Sequence, residues 1–154
     1  MIQLNRVTEY ALMALQYISK KGEGSKISAR EIAQTYGLPF EMTAKTLQRL
    51  KDSKLVQSTQ GIKGGYSLQK PLSEISLAEF LTLMQGFPSV VMCVAQGENK
   101  AICEYERKCE MKHFMQNLNT RMIQFLSQVK LDELIADFSK SFHKEKSYEI
   151  SYLS

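Results

Sequence analysis

A chain of 154 residues, 44% hydrophobic and 23% charged, has the composition of a globular protein with one core, and no apolar run approaches the ~20 residues of a bilayer span. The net charge of +4 is unevenly spread: residues 1–70 hold eleven Lys/Arg against five Asp/Glu and residues 71–154 nine against eleven, so the first half has the footprint of a polyanion binder. Three cysteines, with a start lacking the basic and apolar regions of a secretory signal, predict a cytoplasmic protein whose thiols serve metal or redox chemistry and form no disulfide framework.

In chain order, Val7, Tyr10, Ala11, Ala14, Leu15 and Ile18 recur at helical spacing, with Leu12, Met13 and Tyr17 widening the apolar face and Glu9 the main charge left in it. A helix this apolar is covered on more than one side. Ser28 and Glu31 form the pattern of a capping box that opens a second helix, which Gly37 closes. A third helix starts at Pro39 and runs to about Lys51, with Phe40, Thr43, Leu47 and Leu50 expected to face inward. Leu55 to Thr59 and Tyr66 to Leu68 read as two strands joined by the turn Gly61-Ile62-Lys63-Gly64-Gly65, where glycine tolerates positive φ. Pro71 ends the hairpin, and Ser76 with Glu79 caps a fourth helix carrying Leu77, Phe80, Leu81 and Met84.

Residues 86–109 show no sustained period and contain all three cysteines, so they read as a functional loop. Beyond them Met111, Met115, Leu118, Met122, Phe125 and Val129 alternate by four and three, the seam of a long helix packed lengthwise against another, a natural homodimer contact. Leu131, Leu134, Ile135 and Phe138 continue helically, and a polar tail follows. The predicted fold is mainly α: a winged helix-turn-helix domain over 1–85 with a β-hairpin wing, a cysteine loop over 86–109, a dimerisation helix with a following short helix over 110–138, and a tail over 139–154.

In a helix-turn-helix the second helix presents its outer face to base edges while neighbouring elements hold phosphates. Here that face carries Glu41, Met42, Lys45 and Arg49, with Gln48 beside it; residues 41, 45 and 49 lie in one row. Lys45 suits guanine or a phosphate, Arg49 the backbone, and Glu41 either cytosine N4 or an ion pair with Lys45. The wing offers Gln60 and Lys63 at its tip, and Gly64 and Gly65 would let backbone approach phosphate closely. Binding by a dimer predicts a pseudo-palindromic double-stranded DNA site. An enzyme finds no support, because the chain has no phosphate loop, nucleotide fingerprint or Ser/His/Asp order, and only two histidines.

The block Leu4 to Leu15, Ile32-Ala33, Leu47-Gln48-Arg49-Leu50-Lys51, Leu55-Val56, the run Gly61 to Leu68, Pro71, Ile75, Leu77 and Val129 to Leu134 resemble the IscR/NsrR-type winged-helix regulators of the Rrf2 superfamily, over roughly residues 2–138. In that family an arginine that enters the minor groove often precedes the wing glycines; here Gln60 stands in its place. Cluster-bearing members carry three cysteines before the long helix, matched here by Cys93, nine residues, Cys103, five residues and Cys109; the first gap is longer than the commonest one. The resemblance implies an iron–sulfur cluster, 2Fe–2S or 4Fe–4S, sensing redox, nitric oxide or iron status.

Thiolates are soft ligands suited to such clusters and to zinc, and three of them leave one position to fill. The resemblance offers two donors: Glu9, at the first-helix acidic position and supplied by the partner subunit, or His113, four residues after Cys109 and further than the family's histidine stands. Structural zinc on the three cysteines and His113 is the alternative, although the loop lacks the close cysteine pair usual for zinc. Cluster-free thiol sensing is another, with Glu104, Glu106 and Glu110 opposing Arg107, Lys108 and Lys112 in setting thiolate character.

Overall fold

The computed structural model describes residues 3–22, 24–89 and 108–136. Its elements run α1 (Arg6–Lys21), α2 (Ala29–Tyr36), α3 (Phe40–Asp52), β1 (Val56–Thr59), β2 (Gly65–Leu68), a 3-10 turn (Leu72–Glu74), α4 (Leu77–Gln85) and α5 (Lys112–Gln128), with a further helical stretch over 131–136. Most of the cysteine loop (90–107) and the tail expected over 139–154 lie outside the described residues. The architecture is mainly helical with one two-stranded hairpin.

Short polar caps set the helix starts. Asn5 accepts from the Thr8 N–H at 2.8 Å and begins α1, Ser28 accepts from the Glu31 N–H at 3.1 Å, and Ser76 from the Glu79 N–H at 3.2 Å. The capping box expected at α2 is only half formed. Its glutamate is recruited by tertiary structure: the Glu31 carboxylate accepts from the Tyr17 hydroxyl at 2.9 Å and lies 3.5 Å from the Lys21 ammonium, fastening α1 to α2. Tyr17 also meets Tyr36 edge to face, with centroids 5.9 Å apart. Gly37 then closes α2 in the left-handed region at φ 64°, and Leu38 N–H reaches back to the Ala33 carbonyl at 2.8 Å.

The core gathers Ala11, Ala14, Leu15 and Ile18 of α1, Ile32 of α2, Leu47 and Leu50 of α3, and Phe80, Leu81 and Met84 of α4. Small Ala11 and Ala14 let α1 lie close to its neighbours on more than one side, as its apolar breadth requires. Leu126, Leu131 and Ile135 belong to the same cluster, so the end of α5 and the stretch after it pack on the winged unit. Backbone ties secure this return: Leu77 N–H donates to the Val129 carbonyl at 2.8 Å and Leu131 N–H to the Ile75 carbonyl at 3.1 Å.

The hairpin is antiparallel, pairing Val56 with Leu68 and Thr59 with Gly65. Ile27, just before α2, exchanges two backbone hydrogen bonds with Tyr66 at 2.8 and 2.9 Å and forms a bridge on the hairpin's outer edge. This seats the wing against the helices. Two expectations change. Phe40 is 50% exposed and does not face inward, because Thr43, Thr46, Leu47 and Leu50 fill the buried side of α3. Of the wing glycines only Gly61 has positive φ, at 110°.

Candidate nucleic-acid interface

With its inner side fixed by Thr43, Thr46, Leu47 and Leu50, α3 must turn its opposite side outward, and there Glu41, Lys45, Gln48 and Arg49 are exposed while Met42 is half-buried. The structure thus brings these five sequence-predicted residues onto one helix surface. Buried Thr43 and Thr46 satisfy their hydroxyls on the carbonyls of Pro39 and Met42, at 3.0 and 2.8 Å, so no polar atom is stranded beneath the helix. Glu41 in the first turn and Arg49 and Lys51 in the last complement the helix dipole. Gln48 donates to Asp52 at 2.9 Å, which holds the amide in one orientation. Asp52 escapes sequence reasoning, since it lies past the expected helix end at about Lys51.

At the wing, Gln60, Gly61, Ile62 and Lys63 are all exposed. Ile62 is fully exposed at the tip, a contact-competent apolar group that composition does not single out. Gly64 and Gly65 have a reason internal to the fold. A Cβ at Gly64 would collide with the Thr59 carbonyl oxygen, and one at Gly65 would stand 2.9 Å from the backbone of Ile27. Gly64 therefore lets the wing turn close on itself, and Gly65 lets the hairpin pack tightly against the Ile27 segment that precedes α2. Lys54, between α3 and the wing, adopts a left-handed conformation at φ 58° and adds another exposed cation.

A second cluster of candidates concerns the cysteines. Cys109 is unpaired in any disulfide and half-buried, immediately before α5, where its carbonyl accepts from Lys112 N–H at 3.3 Å. His113 is exposed on the first turn of α5. Cys93 and Cys103 lie outside the described residues. Glu9, half-buried on α1, meets the guanidinium of Arg6 at 3.1 Å, and Arg6 is 80% exposed. Among the described residues no three His, Cys, Asp or Glu side chains gather as a metal site, so Glu9, Cys109 and His113 are not assembled within one chain.

Gln85 is a residue that no sequence signal marks. Its side-chain oxygen lies 3.3 Å from Asn5 N–H and 2.9 Å from the Thr8 hydroxyl, and its amide donates to the Gln3 carbonyl at 2.9 Å. The start of α1, which carries Glu9, is thereby tied to the end of α4, from which the cysteine loop departs.

On α5 the faces divide. Met122, Ile123 and Leu126 pack toward the core, whereas Met111, Phe114, Leu118 and Phe125 remain exposed, at 51%, 57%, 39% and 63%. The expected seam included Met122 and omitted Phe114; in the folded chain Met122 serves its own domain.

Comparison with known proteins gives concordant results. The family model of Rrf2, described as an iron-dependent transcriptional regulator, matches residues 4–137. The chain is 27% identical over 134 residues to the HTH-type transcriptional regulator NsrR of Oceanobacillus iheyensis, covering 87% of this chain and 90% of that one. It is 25% identical over 134 residues to the HTH-type transcriptional regulator IscR of Escherichia coli, covering 87% and 80%. Among solved structures, CymR, the global cysteine regulator of B. subtilis, shares the fold with a TM-score of 0.69 at 21% identity, over 88% of this chain and 98% of that one. IscR of T. potens does so with a TM-score of 0.65 at 16% identity, over 91% and 90%. No helix among the described residues is long and apolar enough to cross a membrane.

Proposed function

We propose, from the premise that this chain belongs to the Rrf2 family of DNA-binding transcriptional regulators and is not an enzyme, that it acts in the cytoplasm as a homodimer on a pseudo-palindromic operator, with operator affinity set by an iron–sulfur cluster. The observation that carries the DNA part is the exposed row Glu41, Lys45, Arg49 on α3, flanked by an exposed wing in the positively charged half of the chain. α3 enters the major groove, Lys45 and Gln48 read base edges, and Arg49 and Lys63 hold phosphates. The exposed apolar face of α5 supports the dimer, since Met111, Phe114, Leu118 and Phe125 would be covered by the same face of a second copy.

The donor set fits a cluster in its chemistry: three soft thiolates from Cys93, Cys103 and Cys109, with a harder oxygen from Glu9 of the partner subunit. Half-buried Cys109, committed to no disulfide, has its sulfur available. Arg6 holds the Glu9 carboxylate through a surface ion pair, an interaction weak enough to be exchanged for a metal. A bound cluster would supply a centre reactive toward oxygen, nitric oxide and iron loss. The residues do the coupling: the Gln85 ties transmit any displacement of α1 to the root of the cysteine loop.

The test is anaerobic reconstitution with iron and sulfide, followed by absorption spectra and operator binding. A coloured wild type, bleached by Cys109→Ala and made labile by Glu9→Ala, with holo and apo forms differing by ~1–3 kcal/mol in operator affinity, is the expected result. A colourless wild type would reject the cluster in favour of zinc or cluster-free thiol sensing, and lability on His113→Ala alone would move the fourth ligand to His113.

A further inference from the structure

Phe40 is the first residue of α3, the end of a recognition helix that lies nearest the bases. Half of its surface is exposed, in a helix whose leucines, Leu47 and Leu50, are fully buried and whose Met42 is half-buried. Pro39 precedes it with φ −60°, so the helix begins from a rigid residue, and no side chain caps the N-terminus. No capping group therefore stands between the ring and an approaching groove. From α2 the guanidinium of Arg30 lies over the ring, 5.8 Å from its centroid. Arg30 is itself exposed, so one cation steadies the ring while remaining open to a phosphate.

An aromatic ring here has one chemically suitable partner in B-form DNA. The major groove presents donors and acceptors at every base pair, and its one apolar protrusion is the thymine 5-methyl group, which phenylalanine can contact. We propose that Phe40 reads a thymine methyl in each half-site, with Arg30 as the residue that positions its ring. The inference rests on the reading of α3 as the groove helix and adds to it a specificity-determining contact that is apolar, where Lys45 and Gln48 supply polar ones. Removing one buried methyl group from water is worth about a fourfold change in binding constant, hence about fifteenfold over two symmetric half-sites.

The experiment uses the full chain and an operator selected by wild type from a random duplex library. Each thymine is replaced by deoxyuridine, one symmetric pair at a time, and affinities are measured for wild type, Phe40→Ala and Lys45→Ala. One thymine pair is expected at which uracil weakens wild type about fifteenfold, Phe40→Ala causes a similar loss on the thymine operator, and Phe40→Ala is indifferent to uracil there. Lys45→Ala should keep the thymine preference at that pair. A Phe40→Ala protein that retains the wild-type response to every uracil overturns the proposal, as does a wild type indifferent to all of them. If Lys45→Ala relaxes sequence preference in those cases, the groove reading of α3 survives and only the Phe40 contact is lost. If Lys45→Ala also leaves preference unchanged, α3 is not the reading helix. Independently of whether the variant folds, 5-iododeoxyuridine at the identified thymine should photocrosslink wild type at Phe40, and a crosslink to another residue at that position refutes the contact.

Discussion

Helices α3 and α5 solve opposite problems with the same device. Each buries one stripe and exposes another, but the exposed stripe of α3 is charged and polar, with Glu41, Lys45, Gln48 and Arg49, whereas that of α5 holds Met111, Phe114, Leu118 and Phe125. A polar stripe is stable in water and can wait for DNA. An apolar stripe of this length favours a permanent partner, and its nearest chemical match is itself. In the proposed homodimer, function would divide between a helix that associates reversibly and one that keeps two copies together, so that two reversible contacts would act as one.

The sharpest break of this comparison is a charge on the outer stripe of α5. Leu118→Glu is expected to place an uncompensated carboxylate in the proposed dimer interface at a cost of several kcal/mol, giving monomers in sedimentation and a large loss of operator affinity while the helical circular-dichroism signal persists. A variant that stays dimeric would remove α5 from the interface. On the inner side of the same helix, Leu126→Ala is expected to lower unfolding stability by ~2–4 kcal/mol, because Leu126 is only 8% exposed and joins the common core. Denaturant midpoints read that effect, and a midpoint within ~0.5 kcal/mol of wild type would mean that the end of α5 does not pack as described.

What the sequence made legible follows the range of the forces involved. Caps and turn breakers act over three or four residues, so Ser28, Gly37 and Ser76 mark helix limits that the structure repeats. Periodicity tells that α5 has apolar stripes, but it carries no information on which stripe meets the chain's own core. Met122 and Leu118 therefore share one predicted seam, although only Met122 packs toward the core. Phe40 sits in the first turn of α3 at the edge of its buried arc, where hydrophobicity predicts burial and the structure leaves half of its surface exposed. Glu31 illustrates the same limit: its local pattern promises a capping box, and Tyr17, fourteen residues away in sequence, takes the carboxylate. Gly64 is required by the turn itself, since a side chain there would meet Thr59 and Gly61, but the need for a missing side chain at Gly65 comes from Ile27, a contact that no short-range rule contains. For the cysteines, spacing and resemblance carry the reading, since Cys93 and Cys103 lie outside the described residues.

On the polar stripe the expected effects are smaller and depend on the DNA. Lys45→Ala should cost ~1–3 kcal/mol on the selected operator and much less on random duplex, if it reads a base. Lys63→Ala on the wing should weaken both alike and reduce the salt slope by about one. Equal losses on both duplexes for the two variants would assign Lys45 to phosphate and leave base reading to its neighbours.

The smallest effect separates fold from sensing at the start of α1. Arg6 and Glu9 are three residues apart and the arginine is 80% exposed, so their 3.1 Å pair is screened by water and its loss in Arg6→Ala should shift unfolding stability by well under ~1 kcal/mol. If that pair competes with cluster ligation for the same carboxylate, Arg6→Ala should nevertheless slow cluster loss or raise iron affinity on reconstitution, because the free Glu9 no longer has a cation to return to. Glu9→Ala, which removes the same pair, should leave stability equally unmoved and make the cluster labile. Two variants with matching denaturation curves and opposite cluster lifetimes would identify the carboxylate as the exchangeable ligand. Matching lifetimes would leave Glu9 as an ordinary surface charge.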